Sequence, residues 1–235
     1  MRIAALYDIH GNLPALEAVL AEVESADVDR VLVGGDLVAG PFPAEALDLL
    51  RSLGDQVSFV RGNADREVVA GGEGERSWCL DRLGPERAEL VSSWPLTLEA
   101  VADGLGRVLF CHATPRSDEA FLTPATPEEA VAEALAGVDA DVVVYGHIHV
   151  QYERGNAPRL VNPGSVGWPH ESQRGAYWAI LGPDVEFRRT DYDYEVTAEL
   201  ILASGYPNAS HAAETILDPP KPEEATEHFE KLRGA

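Results

Sequence analysis

Short apolar runs alternate along the chain with stretches whose apolar residues recur at helical spacing. Ile3–Tyr7 predicts a strand, and Leu13, Leu16, Val19, Leu20 and Val23 then share one helical face. Asn12 is placed to cap that helix, with Pro14 in its first turn. Val31–Val33 predicts a second strand leading through Gly34-Gly35 to Asp36, Pro43–Leu53 a second helix, and Val57–Val60 a third strand. This rhythm indicates a largely parallel sheet with helices packed on it.

Further along, Gly71–Gly74 predicts a loop and Pro85–Trp94 a helix. Leu96–Val101 and Arg107–Cys111 predict a strand pair around Asp103-Gly104, Pro127–Leu135 a helix, and Val142–Tyr145 a wholly apolar strand. Tyr177–Leu181 and Val185–Arg189, joined by Gly182-Pro183-Asp184, carry a hairpin signal, so the sheet is expected to be mixed. Val196–Ala203 turns helical, and residues 205–235, with Pro219, Pro220 and Pro222 and a charged end, are expected to form a peripheral C-terminal helical arm. There is no internal repeat or low-complexity linker, and residues 1–235 are expected to be one domain.

Composition narrows the chemistry. A net charge of −22 argues against stable nucleic-acid binding, which needs a basic face, and against docking on anionic lipid. No stretch approaches the ~20 apolar residues of a membrane helix. The N-terminal MRIAALYDIH reaches Asp8 too soon for a signal-peptide core, so a cytoplasmic location is expected. Cys79 and Cys111 are far apart and form no thiolate zinc motif. The only lysines, Lys221 and Lys231, lie in the tail, which excludes a phosphate loop of the Walker type and a core Schiff-base lysine.

The cation-binding residue types fall at strand ends. Asp8 and His10 follow the first strand, Asp36 the second and Asn63 the third; His112 ends Val108–Cys111, and His147 and His149 follow Val142–Tyr145. Ligands of open α/β sheets bind just beyond the carboxyl ends of strands. Asp8/His10 and His147/His149 are each two residues apart, a spacing that in extended chain sends both side chains to one side and lets each pair serve one centre. Carboxylate, imidazole and one amide oxygen suit divalent ions such as Mn, Fe or Zn. Seven ligands exceed the need of one hydrolytic ion, so two are expected, about 3.5–4 Å apart. Such a positive centre attracts a phosphate despite the acidic protein. His170, His211 and His228 lack this context and are expected at the surface.

In this order the residues resemble the calcineurin-like metallophosphoesterases, in particular their small bacterial phosphodiesterase branch. The matching pattern is Asp8-Ile9-His10, Gly35-Asp36, Gly62-Asn63, His112 and Gly146-His147-Ile148-His149, followed by the loop Asn162-Pro163-Gly164-Ser165-Val166-Gly167. The resemblance implies two packed mixed β-sheets flanked by helices, a four-layer α/β/β/α sandwich. It implies that Asp8, His10 and His149 hold one metal, Asn63, His112 and His147 the other, and that Asp36 bridges them. It further implies a hydroxide shared by the metals as nucleophile, with Asp36, Asn63 and His112 at the chemistry and Asn12 within reach of substrate. Manganese is the first expectation, with Fe, Zn or Ni as alternatives, and the substrate a small phosphoester such as a nucleotide.

The chain departs from the G-N-H-D form of the family at Ala64. The histidine of that form sits near the leaving group, and alanine neither protonates nor orients it, so diesters or activated esters are favoured over alkyl monoesters. Arg116, His170 or the substrate could replace it, and Asp65 is expected to support the turn or the ligands. The alternatives are a phosphomonoesterase of nucleotides or phosphoproteins, and a metal-free protein-binding scaffold, which the seven competent side chains disfavour. A serine hydrolase is disfavoured because Pro163 stands where the first glycine of G-x-S-x-G belongs.

Overall fold

The computed structural model describes residues 1–155 and 157–234. The first half runs β1 (Ile3–Leu6), α1 (Leu13–Ser25), β2 (Arg30–Val33), α2 (Pro43–Arg51), β3 (Val57–Phe59), α3 (Asn63–Ala70) and α4 (Glu75–Ser92). It continues with β4 (Thr97–Ala102), β5 (Gly106–Cys111), α5 (Glu128–Ala134), β6 (Val142–Val144), β7 (Gln151–Arg154) and β8 (Arg159–Pro163). The chain closes with β9 (Ala176–Leu181), β10 (Val185–Thr190), α6 (Tyr194–Ala203), α7 (Ala209–Leu217) and α8 (Pro222–Arg233).

The strands form two mixed five-stranded sheets, ordered β10-β9-β1-β2-β3 and β4-β5-β6-β8-β7. In the first, β1–β2 and β2–β3 are parallel and the β9–β10 hairpin joins antiparallel along β1. In the second, β5–β6 and β6–β8 are parallel, with β4 and β7 antiparallel at the edges. Strand alternation explains the layers. Ile3, Ala5 and Tyr7 point between the sheets to meet Val108, Phe110, Val142 and Val144, whereas Ala4 and Leu6 face the helices. The Tyr7 hydroxyl crosses to the other sheet and donates to the Val144 carbonyl at 3.0 Å. Each of the buried Ile, Val and Phe side chains in this layer contributes about 1.5–3 kcal/mol of apolar transfer. Helices α1, α2, α4, α6 and α7 cover the first sheet, and α5 packs on the second, giving the expected α/β/β/α sandwich.

Three features differ from the sequence expectation. Helix α3 begins at Asn63 directly after the third strand, because Gly62 caps it and the Asp65 carboxylate returns to the Gly62 N–H at 3.0 Å. Helix α4 starts ten residues before Pro85 and bends at Gly84, whose φ of 69° breaks the helical run. Strands β7 and β8 extend the second sheet without a long apolar run. Residues 205–235 hold α7, which buries Ala212, Ala213 and Ile216 in the helix layer, and α8, which packs on Ile148 and Val150. No helix among the described residues is long and apolar enough to cross a membrane.

Candidate metal centre

Parallel strands β1, β2, β5 and β6 and the start of α3 all end at one edge of the sandwich, and the loops leaving them carry the seven residues. Asp8, His10 and His149 form one group and Asp36, His112 and His147 another, with the polar atoms of each group within 4.8 Å of one another. The groups meet at Asp36, whose Oδ2 lies 3.4 Å from His112 Nε2 and 3.8 Å from His10 Nε2. Asp8 Oδ1 lies 3.4 Å from His149 Nε2 and 3.9 Å from His112 Nε2. Asn63 Oδ1 approaches His112 Nε2 at 3.1 Å, and that nitrogen is 3.2 Å from His147 Nδ1.

Backbone carbonyls set the inward-facing nitrogens. His10, His112 and His149 direct Nδ1 at the carbonyls of Ala39, Gly34 and Trp168, at 3.1, 2.9 and 2.6 Å. A proton on each Nδ1 leaves the Nε2 lone pair facing the centre, the arrangement in which a histidine binds a metal. His10 Nε2 and His149 Nε2 consequently face each other at 3.2 Å with no acceptor–donor logic of their own. Turning the Asn63 amide would place its NH2 3.1 and 3.0 Å from His112 Nε2 and His147 Nδ1; with the oxygen inward, three acceptors converge on one point. Asp8 Oδ1 is fully buried and has no hydrogen-bond partner. Buried acceptors are normally satisfied, so this donor set fits cations.

The loops are strained to reach this geometry. Among the described residues, six non-glycine residues have left-handed φ, and five of them are Asp8, His10, Asp36, His147 and His149, at 47–69°. Such positions cost of order 1–3 kcal/mol each and cluster at functional sites. The extended-chain argument for the two-residue spacing therefore does not hold: both pairs sit in left-handed turns, and His147 and His149 divide between the two groups. Glycine is required where the loops touch. A Cβ on Gly62 would lie 2.1 Å from Asp36 Oδ1, and one on Gly146 would lie 2.4 Å from Asp8 Oδ2.

Asp65 ties two of these loops together. Its Oδ2 accepts from Asp36 N and Gly62 N at 2.8 and 3.0 Å, and its Oδ1 from Leu37 N and Val38 N at 2.9 and 3.0 Å. Burial and the neighbouring Asp36 push this carboxyl up to about 7, against the pull of the amides. Burial would likewise raise Asp8 and Asp36, but the facing imidazoles overcome it and hold both carboxylates below their ordinary range.

Other expectations resolve differently. Both ends of the Asn12 amide have partners: Oδ1 caps α1 by accepting from Ala15 N (3.3 Å) and Nδ2 donates to the Gly167 carbonyl (3.0 Å). Ser165 is fully buried and donates to the Asp8 carbonyl at 2.7 Å, bracing that turn. Arg116 is occupied by the Glu133, Ala134 and Ala136 carbonyls at the end of α5. His211 and His228 are exposed, but His170 is not a free surface group: its ring stacks on His149 at 4.7 Å, and burial holds it down at about 3. Phe121 stacks on His147 at 4.9 Å, and Phe229 of α8 lies 5.1 Å from Phe121 and 5.9 Å from His170. Phe229 thus caps the outer ring of both stacks. Isolated aromatics carry no sequence signal for this; only the fold brings them to the site.

The chain matches the model of the calcineurin-like phosphoesterase superfamily domain over residues 1–183. Uncharacterized protein MJ0912 of Methanocaldococcus jannaschii is 28% identical over 240 aligned residues, covering 87% of this chain and 93% of that one. The symmetrical bis(5'-nucleosyl)-tetraphosphatase of Sodalis glossinidius is 43% identical over only 81 residues, 33% of this chain and 29% of that enzyme. This chain therefore spans less than a third of that relative's length. A crystal structure of a metallophosphoesterase from Sphaerobacter thermophilus superposes with a TM-score of 0.77 at 25% identity, covering 93% of this chain and 99% of that one. The hypothetical protein PH1004 of Pyrococcus horikoshii superposes at 0.80 with 18% identity over 94% and 99% of the two chains, a likeness of fold.

Proposed function

The chain belongs to the calcineurin-like phosphoesterase superfamily, and on that premise we propose that it is a dinuclear phosphoesterase of small phosphodiesters or activated phosphoesters, working as one domain in the cytoplasm. The observation that carries this reading is the meeting of two three-residue groups at Asp36 Oδ2. Asp8, His10 and His149 would hold one divalent ion, Asn63, His112 and His147 the other, and Asp36 both. Manganese is the first candidate, because the donor set mixes carboxylate, imidazole and amide oxygen without thiolate. Bound ions supply an activated water and neutralise charge on the phosphoryl oxygens.

The residues of the chain do the rest. The carbonyl partners of His10, His112 and His149 hold those rings in one tautomer, so the centre needs no rearrangement as charge develops. Asp65 holds Asp36 and the Gly62 turn in register. Ala64 offers no proton donor to a departing alkoxide, and general-acid assistance is ordinarily a factor of about 10²–10⁴. Esters with good leaving groups, and diesters, are therefore favoured over alkyl monoesters. The test is hydrolysis of bis(p-nitrophenyl) phosphate and of serine phosphate with and without added Mn²⁺. Manganese-dependent turnover of the diester that exceeds that of the monoester supports the reading; turnover unaffected by a chelator, or a large monoester preference, contradicts it.

A further inference from the structure

Beside His10 a cleft of about 430 Å³ opens, with Ala64 on its wall. Ala39, Val68 and Cys79 give it an apolar lining, Trp168 and Tyr206 add aromatic surface, and its charged residues are Glu67, Glu73, Glu75 and Arg76. Arg76 is paired with Glu67. Glu75 accepts from the Tyr206 hydroxyl at 2.6 Å, which fixes its position. Glu73, in the turn before α4, is exposed and forms no ion pair among the described residues, the cleft's Arg76 being paired with Glu67. The pairs cancel to leave two carboxylates facing the space next to the candidate metal centre.

We propose that this cleft receives the leaving alcohol of a phosphodiester and selects one that carries no negative charge, with an ammonium-bearing alcohol favoured over a neutral one. This rests on the phosphoesterase reading above. The centre between the two residue groups attracts the phosphate; the cleft, with the opposite sign, judges what is attached to it. The methyl group of Ala64 leaves open the space through which the two communicate. In the reaction the oxygen of water bonds to phosphorus and the ester P–O bond to the alcohol breaks. The alcohol oxygen keeps the bonding pair and takes one proton of that water; the other is released, leaving a phosphomonoester and a free alcohol. A leaving group that itself bears phosphates would bring like charge into the cleft that Glu73 and Glu75 line, and charges there act over about 8 Å at physiological salt. An ammonium gains from the same carboxylates and from the aromatic surface. Nucleoside polyphosphates, the substrate class named for the partially matching tetraphosphatase, are accordingly disfavoured for this chain.

The experiment compares kcat/KM of the manganese-loaded full chain on glycerophosphocholine, glycerophosphoglycerol and diadenosine tetraphosphate, with phosphorus NMR identifying the bond cut. The two glycerol diesters should exceed the tetraphosphate at least tenfold, and glycerophosphocholine should release choline. Glu73 lies in an exposed turn, so Glu73→Lys tests charge without disturbing the core. A two-charge change at ~6 Å in water should lower kcat/KM on glycerophosphocholine about tenfold, and the choline-to-tetraphosphate ratio further because the anionic leaving group gains, with Glu73→Gln in between. Choline alone should inhibit competitively, and Glu73→Lys should weaken that inhibition. A tetraphosphate turned over as well as the glycerol diesters, or a ratio indifferent to Glu73→Lys, overturns the proposal while leaving the phosphoesterase reading in place. Failure to hydrolyse any of the three, and bis(p-nitrophenyl) phosphate as well, overturns both.

Discussion

Replacing Asp65 should damage the protein more than replacing any single candidate ligand, because four backbone N–H groups from two loops depend on it. Asp36, Leu37, Val38 and Gly62 all donate to its two oxygens at 2.8–3.0 Å, and the side chain is fully buried. A buried donor left without a partner costs about 1–3 kcal/mol. Four of them in Asp65→Ala give at least about 4 kcal/mol, a large part of a typical total stability of about 5–15 kcal/mol. Asp65→Asn keeps one acceptor oxygen, which serves two donors, and turns an NH2 toward the other two, so it should cost roughly half as much. Urea unfolding of the metal-free protein at pH 8, where the carboxyl is ionised, measures both. Asp65→Ala within 1 kcal/mol of the parent, on the scale of about ±0.5 kcal/mol typical of neutral surface changes, would refute the reasoning. Asp65→Asn indistinguishable from the parent would do the same, since it would mean that the carboxyl is held as the neutral acid.

Ala64→His should raise kcat/KM on alkyl monoesters by about 10²-fold or more and change activated diesters little, read from paired assays of serine phosphate and bis(p-nitrophenyl) phosphate. Ser165→Ala should retain turnover and lose about 1–3 kcal/mol of stability by thermal unfolding, because the hydroxyl braces the Asp8 carbonyl; complete loss of activity in a folded variant would point to a nucleophile instead. Phe229→Ala should weaken manganese binding in calorimetry by roughly tenfold, about 1.4 kcal/mol, because the ring caps both stacks that end in His147 and His149. Phe229→Leu should restore part of it.

Elements with a strong local period were legible in the sequence. The buried β1 run and the helical face of α1 sit where spacing puts them, and so does the β9–β10 hairpin around Gly182. What was hidden depends on tertiary partners. Gln151–Arg154 is a polar edge strand held by its pairing with β8, and Gly62 shows itself as a cap only once Asp65 folds back to it. Gly84-Pro85 reads as a helix start, although the chain is already helical from Glu75 and merely bends there. At the site, residue types at strand ends were visible as a set, because backbone topology alone brings strand ends together. How they divide was not legible from spacing: the left-handed turns at His147 and His149 send neighbouring histidines to different groups. Phe229 was silent and the place of His170 against His149 was hidden for the same reason, the two lying 80 and 21 residues beyond His149 in a chain that only the fold closes.

The central claim is that two divalent ions meet at Asp36. Elemental analysis of the purified chain after manganese loading and gel filtration tests it most directly, alongside Asp36→Ala prepared in the same way. The account predicts two ions per chain in the parent and fewer than one in the variant, with circular dichroism showing both folded. A parent that retains no ion or only one, or a variant that retains two, would contradict it.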